Sequence, residues 1–81
     1  MLGAEHPDTL TLASNLASVL QAQGELSEAA RIHRETLEVQ RRVLGAEHPS
    51  TLTSASSLAS VLQAQGEFSE AVGILRETLE A

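Results

Sequence analysis

The sequence predicts an all-α fold in which two antiparallel helix hairpins stack on one another. Three observations carry this. "LGAEHPDTL" at residues 2–10 returns as "LGAEHPSTL" at residues 44–52, and the copy continues to the C-terminus. Of the 38 pairs in the alignment of 2–39 with 44–81, 8 differ: Asp8/Ser50, Leu12/Ser54, Asn15/Ser57, Leu26/Phe68, Ala30/Val72, Arg31/Gly73, His33/Leu75 and Val39/Ala81. The composition is helical: Ala, Leu, Glu and Gln abound, while Phe68 is the only aromatic residue. Finally, apolar residues recur three and four apart within each copy.

The first helix is expected to open at "HPDTL". Proline suits a first helical turn, where its missing N–H costs nothing. Asp8 adds negative charge at the positive end of the helix dipole. Leu10, Ala13, Leu16, Ala17 and Leu20 then form one apolar stripe. Gly24 and Gly66 read as helix stops. The second helix starts near Ser27, with Ser27 and Ser69 as the expected N-caps. Its inner side is expected to carry Ala29, Ile32, Thr36, Leu37, Gln40, Val43 and Leu44. Its outer side carries Arg31, Arg34, Glu35, Glu38, Arg41 and Arg42, with Arg31/Glu35, Arg34/Glu38 and Glu38/Arg42 spaced for weak ion pairs on a solvated face. Gly45 ends this helix, and "AEHP" turns the chain into the next unit. Ala13, Ala17, Ala29, Ala55, Ala59 and Ala71 are placed where helix axes approach to about 8–10 Å. The chain thus divides into repeat 1 (2–43) and repeat 2 (44–81, shortened in its second helix), within a single domain over 1–81.

Net charge is −6, and every basic residue is an arginine. That balance disfavours nucleic acid and anionic membrane surfaces, which need basic patches. One aromatic residue makes no stacking platform for bases. No apolar run approaches the roughly 18 residues of a membrane span, and no signal peptide is visible, so a cytoplasmic location is the default expectation. The chain has no cysteine, hence neither disulfide nor thiolate metal site. No serine–histidine pairing or phosphate-binding glycine loop appears, so no enzyme and no cofactor is expected. His6 and His48 occupy matching loops beside Glu5 and Glu47. Equivalent points in stacked units lie about 10 Å apart, too far to share a zinc ion that binds at roughly 2.1 Å. A local turn role is expected for them. His33 has Leu75 as its counterpart and reads as a packing residue.

The stretch "NLASVLQAQGELSEAARIHRETLEV" resembles a tetratricopeptide repeat (TPR). Leu16-Ala17, Leu20, Gly24, Leu26 and Ala29 stand at its signature positions, with Thr36 where alanine is usual. The second copy matches through Leu58, Ala59, Leu62, Gly66, Phe68, Ala71 and Thr78. The usual period is 34; here it is 42, resembling the longer repeats of kinesin light chain and of nephrocystin-like and bacterial signalling proteins. Leu20, Leu26 and His33 replace the family's tyrosines, which thins the core. The resemblance implies a right-handed α-solenoid whose first helices line a concave face that binds a peptide or partner protein. Thr11, Ser14, Asn15, Ser18, Gln21 and Ala22 are expected on that face, followed by Thr53, Ser56, Ser57, Ser60, Gln63 and Ala64. The resemblance marks Asn15 as the contact to a peptide backbone. Neither first helix offers basic residues to clamp a C-terminal carboxylate.

A second reading is a self-assembling structural unit. Nothing in the sequence covers the last helix, whose exposed stripe is expected to include Ala71, Ile74, Leu75 and Leu79, and Leu12 is expected on the open side of the first. Homo-oligomers by end-to-end stacking or domain exchange would follow. The start at Met1 and the stop at Ala81 read as two units excerpted from a longer array, natural or engineered.

Overall fold

Helix α1 (Pro7–Ala22) starts at a histidine cap. His6 has extended backbone, as a residue before proline must, and its Nδ1 accepts a hydrogen bond from the Asp8 N–H at 3.1 Å. His48 repeats this at α3 (Pro49–Ala64), accepting from the Ser50 N–H at 3.1 Å. An imidazole acceptor thus does what serine or aspartate usually does at this position. The turn expected of these histidines is present as well: the His48 N–H donates to the Gly45 carbonyl at 3.3 Å. In this computed structural model residue 3 and residues 6–80 are described, Pro7 by its backbone alone. Leu2, Ala4 and Glu5 of the first "LGAE" lie outside the described residues.

Each hairpin turns on a glycine. Gly24 has φ 85° and Gly66 φ 81°. The Glu25 N–H reaches back to the Leu20 carbonyl at 2.8 Å and the Gly24 N–H to that of Gln21 at 3.0 Å; Glu67 and Gly66 do the same. This six-to-one, five-to-two pair of bonds closes a helix around a left-handed residue. Helix α2 (Leu26–Val43) and helix α4 (Phe68–Glu80) begin almost at once. The expectation that Ser27 and Ser69 cap them is therefore corrected. Glu25 is the N-cap of α2, without a side-chain cap bond, and both serines lie inside their helices. The turn is too short to leave a serine outside.

Each helix packs against the next in chain order, and α1 touches α3 lightly. The first helices form one layer and the second helices the other, in a slab 36 × 31 × 14 Å. Alanines fill the crossings: Ala17, Ala29, Ala55, Ala59 and Ala71 are buried, with Leu37, Leu58, Val61 and Leu62 around them. Ala71 was expected both at a helix crossing and on the uncovered stripe of α4; it lies at the crossing, in the core. Leu16 and Val43 were expected inward, and both are exposed. Leu16 faces away from α2, together with Leu12 and Val19. The outer charges also differ from a simple solvated face. Arg31 pairs with Glu35 at 2.9 Å as spaced. Arg34 instead crosses to Glu70 at 2.6 Å, and Arg41 lies 3.7 Å from Glu77. These pairs tie α2 to α4 across the repeat boundary.

Candidate partner-binding face

Helices α1 and α3 lie side by side and carry one described charge between them, Asp8. Between their N-terminal halves is a cleft of about 320 Å³, lined by Thr11, Ser14 and Asn15 on one side and by Pro49, Ser50, Thr53 and Ser54 on the other. It gathers four of the residues the sequence assigned to the face: Thr11, Ser14, Asn15 and Thr53. Farther along, the Gln21 amide donates to the Ser60 hydroxyl at 3.5 Å, a long bond that bridges the two helices. Ser18 and Gln63 are exposed and Ser57 half-buried on the same helices. Ser56 falls elsewhere. It lines a hollow with Leu52, Leu75 and Leu79 at the end of the molecule.

Gln40, which the sequence placed on the inner side of the second helix but not on the partner face, also lines the cleft. Its side chain comes from α2 and is buried, and its Oε1 has no hydrogen-bond partner. A desolvated amide oxygen without a partner costs roughly 1–3 kcal/mol. Its helical spacing gave the inward direction; nothing local reveals that the adjoining space stays open.

A larger groove of about 730 Å³ runs between α2 and α4 on the opposite layer. Leu37, Leu58 and Ile74 form its apolar floor, and its rim carries Arg34, Glu38, Arg41 and Glu70. Gly73, standing where the first repeat has Arg31, leaves open space there. The Arg34–Glu70 and Arg41–Glu77 pairs span this groove.

His33 lies in the interior, 1% exposed, with no partner for either ring nitrogen. Burial lowers its pKa from the ordinary 6.5, because an imidazolium there would be desolvated. It is a packing residue, as Leu75 at its counterpart position suggested. Among the described residues, no group of three or more His, Cys, Asp or Glu could hold a metal ion. No helix among them is long and apolar enough to cross a membrane.

A two-layer array of helical hairpins, with a 42-residue period and glycine turns, defines a class of repeat scaffold. The tetratricopeptide-repeat profile matches residues 2–81. The chain belongs to the tetratricopeptide-repeat family, whose members generally mediate protein–protein interaction and are typically non-catalytic scaffolds. It is similar to the crystal structure of a Podosopora anserina putative kinesin light chain with nearly identical TPR-like repeats: 37% identity, TM-score 0.91, covering 96% of this chain and 37% of that one. A point variant of that protein matches at 34% identity and TM-score 0.82, over 98% of this chain and 37% of that one. The chain thus spans a little over a third of the length of these structures. No curated protein matches it.

Proposed function

We propose that the chain binds an extended segment of a partner protein in the cleft between α1 and α3. The observation that carries this reading is the cleft itself, lined by the polar side chains of Thr11, Asn15, Gln40 and Thr53. An amide and a hydroxyl both donate and accept, which suits main-chain N–H and C=O groups presented in alternation. The near-absence of charge on α1 and α3 favours recognition of backbone over charged side chains. Ser18, Gln21, Ser57, Ser60 and Gln63 extend the same surface along α1 and α3.

The test is selection of a random peptide library on the chain, followed by affinity measurements on the enriched peptides. Asn15→Ala removes one neutral hydrogen-bonding group, worth about 0.5–1.5 kcal/mol, so it should weaken binding about 2–10-fold. Thr53→Arg fills the cleft and should abolish binding with the fold retained by circular dichroism. Peptides that bind both variants as well as the parent would place recognition elsewhere, and a library that yields none would count against the reading.

A further inference from the structure

The two repeats serve as controls for each other. In α3, Ser54, Leu58 and Val61 are buried; their counterparts Leu12, Leu16 and Val19 in α1 are exposed. Leu58 is 1% exposed and Leu16 52%. What differs is α2, which packs on α3; among the described residues no helix packs on the corresponding side of α1. The second helices give the same result. Ala30, His33 and Leu37 are buried in α2, while Val72, Leu75 and Leu79 are exposed in α4; Leu37 is 3% exposed and Leu79 87%. The internal joint is therefore the Leu26–Ala30–His33–Leu37 stripe of one repeat against the Ser54–Leu58–Val61 stripe of the next. The chain displays both halves of that joint again, uncovered, at its two ends.

The residues that distinguish the repeats strengthen the point. Four of the differing pairs fall in this joint: Leu12/Ser54, Leu26/Phe68, Ala30/Val72 and His33/Leu75. In every one, the larger or more apolar residue stands on the uncovered side. Polar contacts across the joint recur too. Arg34 to Glu70 has the counterparts Arg76 and Glu28, Gln21 to Ser60 has Gln63 and Ser18, and Gln65 to Ser27 has Gln23 and Ser69.

We propose that the occupant of the uncovered α4 face is the α1 face of a second copy of this chain, joined head to tail in the register of the internal α2–α3 contact. Phe68, Val72, Leu75 and Leu79 of one molecule meet Leu12, Leu16 and Val19 of the next, and Arg76 pairs with Glu28 across the joint. Leu12 against Val72 is bulkier than Ser54 against Ala30, so the helices sit farther apart than inside the chain, within the range that side-chain size allows. The contact uses different surfaces on the two molecules, so it propagates into an open stack or closes into a ring.

Sedimentation velocity over a concentration series tests this, with interference optics because the chain has no Trp or Tyr. The parent should show a sedimentation coefficient that rises with concentration. Leu75→Glu spoils only the tail and Leu16→Glu only the head. Both positions are exposed, so both variants should melt like the parent monomer. Each alone should remain monomeric, while an equimolar mixture should form a one-to-one dimer that grows no further, because one intact head meets one intact tail. Should either variant fail to fold, Arg76→Glu should weaken association and Arg76→Glu with Glu28→Arg should restore it. A parent that stays monomeric at every concentration overturns the proposal. So does a single variant that still self-associates, or a mixture that does not combine.

Discussion

His33 and Leu75 occupy the same place in two successive repeats, and only the histidine is enclosed. The sequence told that position 33 is for packing, because a leucine alternates there. It could not tell that the ring would have no hydrogen-bond partner, since that depends on which residues of α3 arrive opposite. The consequence appears in pH dependence. The folded-state pKa of His33 is lowered, so below the ordinary value of 6.5 the unfolded chain binds more protons than the folded one. Its contribution to stability is intact above 6.5. It is lost as pH falls from 6.5 toward the lowered pKa, at up to about 1.4 kcal/mol per pH unit. Thermal melts between pH 7 and 5 should show this loss. His33→Leu should remove that part of the slope and leave stability at pH 7 equal or higher, because two unpaired buried nitrogens go with it. A variant with the parent's slope would assign the effect to another group. The caps at His6 and His48 were half-legible in the same way. The proline announced a helix start, but the acceptor role of the imidazole needed the extended backbone of the residue before it.

Helix limits were the most legible level, because glycine and proline act locally. Gly24, Gly45 and Gly66 all have positive φ, as the stop signals required. Gly73 lies inside α4, in ordinary helical conformation. The same substitution should therefore act in opposite directions at two sites. Gly66→Ala meets no neighbour within 4 Å, yet it forces a side chain into the left-handed region and should cost about 1–2 kcal/mol. Gly73→Ala, also in open space, should stabilise by roughly 0.8–1 kcal/mol. Chemical denaturation of both variants checks the pair; equal effects would mean that the turn tolerates other conformations. Leu16 was misplaced at this scale for a definite reason. Periodicity finds an apolar stripe on a helix, but not which of two flanking helices covers it. Among the described residues, no helix lies over Leu16 as α2 lies over Leu58.

For the whole molecule, the repeat of 42 residues gave hairpin, order and stacking together, and the candidate cleft followed from stacking. Thr11, Ser14, Asn15 and Thr53 meet because α1 and α3 run side by side. The inward direction of Gln40 was legible from its helical spacing, but the cross-repeat pairs Arg34–Glu70 and Arg41–Glu77 were not. They join residues 36 apart in sequence, an interval set by how one hairpin leans on the next rather than by any helical period.

Burial is concentrated in the middle of the chain. Helices α2 and α3 hold most of the enclosed side chains, whereas α1 contributes Leu10 and Ala17, and α4 only Ala71. The most cooperative element is therefore a pair of helices drawn from two different repeats. Amide hydrogen exchange should be slowest between about Ala29 and Leu62, with α1 and α4 exchanging through cheaper, partial openings; uniform protection across all four helices would contradict this. The unit that the sequence copies begins at a proline, whereas the best-enclosed pair of helices begins half a period later, because each inner helix is flanked on both sides and each outer helix on one.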